Sequence, residues 1–387
     1  MKPNDTGYVV ISGFSPKDSN RGTAALGYGS VPFLQAKGYL KPEQTLLNIR
    51  SFNNPLKPVF WRHCQEKIAI GGKEWNYETI YVHNIVLWLF IHFRLLLPFT
   101  TLWRKIKHIA CVAAINGGDG FSDIYGDRTF LMRLPESKVA MSANIPLIIL
   151  PQTLGPFKDE NNLRQAKKIL TYAKEVYVRD DKFVEELQAM GVDYEETKDL
   201  SYYMKPEPWD IDVMPNAVGI NVSGLAYSNS FRTLTGKFDH YPMLTERLIE
   251  AFQEKDVPVY LIPHSYNYSQ PEPGNDDMIA CRDAYTRLKS KRNVFLIDKD
   301  LTSPQVKYVI SRMSFFVGTR MHANFAAIYT GVPVFGLSYS YKFKGAFEAN
   351  GIFDSTASVV GIGEKDIDGI IQSVLEKYNH TLRNQHG

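Results

Sequence analysis

The sequence predicts an α/β protein of two doubly wound, Rossmann-like domains facing a cleft. Three observations predict it. Short apolar runs alternate with amphipathic stretches along most of the chain, the rhythm of parallel strands covered by helices on both faces. Nearly every run ends in a glycine-bearing or polar loop. The rhythm breaks at a proline-bearing stretch in the middle and then restarts, and 387 residues suit two ordinary domains better than one.

Residues 8–12 form the first run, ending at Gly13; a polar loop through Asn20, Arg21 and Gly22 leads to a helix from Thr23. Residues 109–115 run directly into NGGDGFSDIYG, and 147–150 into PQTLGPF, followed by a helical pattern from Asn162. Residues 175–178 precede Arg179-Asp180-Asp181 and an amphipathic stretch to Met190. These elements define a domain over 1–203. Pro206, Pro208 and Pro215, without periodicity around them, mark a linker at 204–216. The rhythm restarts with runs at 217–222, 257–262, 294–297, 315–317 and 332–336. Between them stand helices from Tyr241, at 276–289, at 303–311 and from Thr319, giving a second domain over 217–362. A final helix within 363–387 is long enough to pack back across the boundary.

Lys and Arg total 44 against 41 Asp and Glu, so overall charge gives no argument for nucleic acid. The three cysteines, Cys64, Cys111 and Cys281, form neither a zinc pattern nor a disulfide framework, and Cys111, in an apolar run, is expected to be buried. The start, MKPNDTGYVVISG, lacks a basic region followed by a long apolar core, so a cytoplasmic location is expected. One segment, 85–103, is strongly apolar but interrupted by His92, Arg94 and Pro98 and followed by Arg104, Lys105 and Lys107. It reads as a core helix, or as a helix lying on the anionic inner face of a membrane.

In open parallel sheets ligands bind beyond the carboxyl ends of the strands, where these loops lie. Asn116-Gly117-Gly118-Asp119-Gly120 packs three glycines into five residues, a loop that can turn N–H groups toward an anion or merely turn tightly. Gln152 opens a strand-to-helix turn, and Arg179 follows a strand; an arginine there could clamp an anion or pair with its neighbouring aspartates. The most specific cluster is Gly318-Thr319-Arg320-Met321-His322-Ala323. Arg320 and His322 there would sit at a helix N-terminus, which favours anions, and His322 can exchange protons near neutrality. Ser340 and Lys342 follow the next strand, and His264 and Ser265 follow another. A nucleotide-sugar glycosyltransferase or a non-catalytic phosphometabolite-binding protein would be compatible with such an architecture.

At these residues the chain resembles the polysaccharide pyruvyl transferases of bacterial capsule and exopolysaccharide synthesis, which have yeast relatives acting on galactose. The resemblance is carried by NGGDGFSD at 116–123, PQTLGPF at 151–157, YVRDD at 177–181, GINVSG at 219–224, IPHS at 262–265 and GTRMHA through GVPVFGLSYSYKFKG at 318–345, with Asn20-Arg21-Gly22 near the start. It implies a GT-B-like fold with phosphoenolpyruvate as donor substrate, no cofactor and no metal. It implies transfer of the pyruvyl group onto two hydroxyls of a sugar, with a 4,6-ketal on galactose as the expectation by analogy. If 85–97 binds a membrane, a polyprenyl-diphosphate-linked saccharide is the expected acceptor. The family's donor-contacting Arg-x-His pattern falls on Arg320, Met321 and His322, and a further basic contact on Arg179. The departure is Asp119, where relatives often carry a third consecutive glycine.

Overall fold

The structure, a computed structural model, describes residues 7–53, 64–339 and 342–386. It divides into two units: one holds the chain up to Pro16 with Leu26–Met204, the other Lys17–Ala25 with the chain from Lys205 onward. The early segment therefore groups with the second unit.

The first unit is built on eight strands: β1 (Tyr8–Ser12), β2 (Thr45–Phe52), β3 (Cys64–Ile70), β4 (Lys73–His83), β5 (Ile109–Ala114), β6 (Leu147–Gln152), β7 (Glu175–Val178) and β8 (Glu195–Glu196). Their order is β3-β4-β2-β1-β5-β6-β7-β8. β3 runs antiparallel to β4 and the remaining pairings are parallel. The central strands β1, β5 and β6 are buried along almost their whole length, as their unbroken apolar runs require. Cys111 is among the buried residues of this core.

β2, β3 and β4 lie where no element was read from the sequence. β3 alternates between exposed and buried positions at its outer end, so it offers no apolar run. The apolar stretch 85–103 is also not one helix. It is a helix Asn84–Phe93, a C-cap at Arg94 in the left-handed region (φ 54°), a loop, and a short helix Thr101–Lys105 whose N-cap is Thr100. Pro98 and the turned-over Arg94 break the continuity. Among the described residues no helix is long and apolar enough to cross a membrane.

The second unit carries β9 (Val218–Asn221), β10 (Val259–Leu261), β11 (Val294–Leu296), β12 (Phe315–Gly318), β13 (Val334–Ser338) and β14 (Thr356–Ser358). All pairings are parallel and the order is β11-β10-β9-β12-β13-β14. Counted from β9 this is 3-2-1-4-5-6, the doubly wound dinucleotide-domain order. One face is closed by the helix Tyr241–Glu254 and by the final helix Glu364–His386, whose Ile367, Val374 and Tyr378 lie in this unit's core. The Tyr378 ring meets Phe252 and Phe315 edge-on. The proline-bearing stretch after Met204 has no helix or strand, and its Trp209, Ile211 and Val213 pack on a second apolar cluster of the same unit.

Candidate active site

In the second unit the strand order reverses between β9 and β12, which are hydrogen-bonded neighbours with Gly318 opposite Asn221. A crevice opens at such a point beyond the carboxyl ends. The chain leaving β12 enters the helix Met321–Ile328 with Arg320 as its N-cap residue. Arg320 and His322 thus stand at the helix N-terminus expected for them. Asn324, one turn further, donates to the carbonyls of Gly318 and Arg320 and ties the helix start to the strand end.

The charge of Arg320 is met by Asp277, which is buried at the start of the helix Asp277–Arg287. Arg320 Nε and Nη2 donate to Asp277 Oδ1 at 3.0 and 2.7 Å, and Nη2 also donates to Asn275 O and Oδ1. The Arg320 backbone N–H donates to Asn221 Oδ1 at 2.9 Å. Asp277 Oδ1 accepts in addition from Gly224 N; Oδ2 accepts from His264 N, Ser265 N and Asn221 Nδ2. One carboxylate therefore joins the loops after β9, β10 and β12. Burial opposes the guanidinium charge, yet Asp277 and then Tyr339 hold Arg320 above the usual arginine range. Behind it, Tyr241 OH lies 2.7 Å from Thr319 Oγ1 and accepts from Ser223 N, closing the same three-way junction.

His322 lies over the segment Lys17–Ala25. A Cβ built on Gly22 would stand 2.7 Å from His322 Nδ1 and 3.0 Å from Asn20 Oδ1, so only glycine lets the ring approach this backbone. The segment itself is pinned by Arg21. Its guanidinium sits 4.4 Å over the Tyr266 ring and donates to Leu301 O, Asp18 O and Asp300 Oδ1. Its backbone N–H donates to His264 O. His264 is buried, and burial, followed by the neighbouring His322, Arg320 and Arg21, pushes its pKa well below the usual histidine value. It is therefore neutral near pH 7. A Gly22→Ala substitution is expected to lower turnover about a hundredfold while leaving the melting temperature within a few degrees, because alanine is a good helix former and the cost falls on the His322 ring. Parallel kinetic and thermal measurements check it; unchanged turnover would mean that the ring position is irrelevant.

In the first unit the reversal lies between β1 and β5, followed by the glycine loop. Gln152 spends its amide structurally: Oε1 accepts from Asn116 N and Nε2 donates to Ala114 O. Gly118 (φ 86°) brings its backbone against Arg179, whose Nη1 would be 2.9 Å from a Cβ there. Arg179 Nη1 donates to buried Asp199 at 2.7 Å, and Nε reaches Thr153 Oγ1 and Asp180. Burial opposes its charge, but Asp199 and Asp180 raise the pKa above the usual range. Arg179 thus pairs with aspartates of its own unit, with Asp199 as the main partner. Asp119 Oδ2 accepts from Tyr125 OH, and Gly117 is exposed at the loop tip.

Two residues missed from the sequence now stand out. Asp277 is one. Glu136 is the other: half-buried in the first turn of the helix Pro135–Ala143, it hydrogen-bonds to Ser12 at the end of β1, and burial of the carboxyl raises its pKa to about 7. The folded state therefore keeps a proton that the unfolded chain releases near 4.5. Stability from this group is present at acid pH and falls as pH rises from about 4.5 to about 7. Glu136→Gln is expected to remove roughly 1–2 kcal/mol of that decline, seen by comparing urea denaturation of the two proteins at both ends of the window; equal slopes would refute it. Met321 packs partly buried on the apolar cluster beneath the helix. Ser340 lies outside the described residues, and of Lys342 only the backbone, at the start of the helix Lys342–Glu348, is described. Among the described residues no three His, Cys, Asp or Glu side chains are grouped to hold a metal ion.

The fold is of the GT-B-like class. A putative UDP-N-acetylglucosamine 2-epimerase from Listeria monocytogenes matches with a TM-score of 0.54 at 13% identity, covering 97% of this chain and 88% of its own. The UDP-GlcNAc 2-epimerase of Methanocaldococcus jannaschii matches with a TM-score of 0.52 at 10% identity, over 95% and 92% of the two chains. At these identities the likeness concerns the fold alone. The family model for polysaccharide pyruvyl transferase matches residues 20–341, and the chain belongs to that family. An amylovoran biosynthesis protein, AmsJ, of Erwinia amylovora is 20% identical over 289 residues, 71% of this chain and 67% of the relative.

Proposed function

We propose that the protein transfers the pyruvyl group of phosphoenolpyruvate onto two hydroxyls of a sugar in surface polysaccharide synthesis, forming a cyclic ketal and releasing phosphate. The observation that carries this reading is Arg320 and His322 on the first turn of the helix after β12, at the switch point of the second unit, in a chain of this family. The helix N-terminus and the guanidinium favour the donor's phosphate.

His322 gives a proton to the methylene carbon, and the adjacent carbon becomes electrophilic. One sugar hydroxyl bonds to that carbon and gives up its proton. The C–O bond to phosphate breaks with the electron pair leaving on phosphate, and the second hydroxyl closes the ring, losing its proton. Of these two protons, one replaces that spent by His322 and the other leaves with phosphate. Asp277 and Asn275 keep the guanidinium oriented through the sequence. For Arg179, held by Asp199 and Asp180 against the backbone of Gly118, we infer the task of shaping the glycine loop.

The test is phosphate release from phosphoenolpyruvate with a panel of galactosyl, glucosyl and mannosyl acceptors, with product mass followed. Acceptor-dependent phosphate with a pyruvyl gain is expected, strongest with a galactosyl acceptor free at its 4- and 6-hydroxyls. Nucleotide release from a sugar nucleotide, with no use of phosphoenolpyruvate, would overturn the reading.

A further inference from the structure

We propose that the first unit carries a docking surface for an anionic lipid bilayer, formed by the helix Asn84–Phe93, the loop after it and the short helix Thr101–Lys105. The inference stands apart from the transfer chemistry.

Among the described residues, one side of the segment is seated in the core. Leu87, Phe90 and Leu102 are buried in the core of the first unit, with Val86, Ile91 and Leu96 packed against it. The other side is apolar too. Ile85, Trp88, Phe93, Leu95, Phe99 and Trp103 are exposed, Phe99 by 78% and Phe93 by 65%. A helix that faces water on its outer side is expected to be polar there. These side chains instead gather: Trp88 lies 5.3 Å from both the His92 and Phe93 rings, and Phe99 lies 5.9 Å from Trp103. Large apolar residues clustered outward mark an interaction surface, and exposed tryptophans suit the headgroup boundary, where one edge is apolar and the other wet.

Charge selects the occupant. From Thr79 through Gly118 the sequence has no Asp or Glu. Arg94, Arg104 and Lys107 are exposed alongside the aromatic residues, and Arg104 Nη2 donates to the carbonyl of Phe99. Lys105 is excluded from this set, because it turns inward to buried Glu78 and to Tyr8 OH. An apolar face edged by cations, on a stretch of chain that carries no acid, matches the chemistry of an anionic bilayer surface.

The test is flotation of the full chain with vesicles of phosphatidylcholine mixed with phosphatidylglycerol, and with phosphatidylcholine alone. Three proteins are compared: wild type, Trp88→Ser/Phe93→Ser/Phe99→Ser, and Arg94→Gln/Arg104→Gln/Lys107→Gln. None of these positions is among the residues that seat the segment, and circular dichroism and melting confirm folding. Wild type is expected to float with the mixed vesicles at low salt and to be released at high salt. The charge variant is expected to bind about a hundredfold more weakly, at about fivefold per cation, and the aromatic variant to stay unbound. Wild type failing to float, or the aromatic variant floating as well as wild type, overturns the proposal. So does a concentration-dependent dimer of wild type that the aromatic variant abolishes, which would assign the face to a second copy of the chain.

Discussion

Asp277→Asn is expected to destabilise the second unit by about 3–5 kcal/mol and to abolish phosphate release. The aspartate is buried, and both its oxygens accept from donors contributed by separate loops. Asparagine keeps the shape but turns one acceptor into an NH2 group. Either orientation sets that group against donors: Gly224 N and Arg320 on one side, or His264 N, Ser265 N and Asn221 Nδ2 on the other. It also leaves the Arg320 guanidinium, only 12% exposed, without its counter-charge. Removing one partner of such a pair costs more than removing both. The double variant Asp277→Asn/Arg320→Met should therefore recover part of the stability but none of the activity. Denaturant titration and phosphate release read the two outcomes separately. A single variant within about 1 kcal/mol of wild type would show that the junction does not depend on this carboxylate.

The second large effect separates Arg320 from His322. Arg320→Met should remove donor binding and turnover together, because the guanidinium is the full positive charge at the N-terminus of the helix Met321–Ile328. His322→Ala should leave donor binding within a few-fold of wild type and slow the chemical step by about 10²–10⁴, the usual share of a proton-transfer group. Calorimetric binding of phosphoenolpyruvate and single-turnover phosphate release distinguish these cases. An inactive Arg320→Met beside a fully active His322→Ala would remove histidine from the proton transfer while keeping the anion site.

Much of this was legible in the chain because the signal was local. β7 and the helix Ser303–Ser311 fall on the residues read for them: the strand is a short apolar run, and the helix opens with a Thr302–Gln305 capping box and Pro304. The place of Arg320 and His322 at a helix start was legible for the same reason, since they follow an apolar strand and a Gly-Thr turn. Asp277 was not. In Asn275-Asp276-Asp277 either acid could cap the helix; the structure gives that task to Asp276, which accepts from Met278 N and Ile279 N, and sends Asp277 across to Arg320. The choice depends on β9 and β12 being neighbours, which no spacing reveals. Asp199, 20 residues beyond Arg179, was hidden in the same way. The 85–103 stretch shows the opposite limit: its composition marks it as apolar throughout, while which residues are buried is decided by the core it meets.

The grouping of Lys17–Ala25 with residues beyond Lys205 has a consequence for how the protein is made. This segment is translated more than two hundred residues before the partners of Arg21 at Tyr266 and Leu301, and before Ser303, which donates to the Arg21 carbonyl. Domain-by-domain maturation from the N-terminus is thus incomplete by construction. A recombinant second half begun at Lys205 would lack the glycine against which His322 rests. Any exchange of the second unit between relatives, in the laboratory or in evolution, has to carry two pieces of chain rather than one.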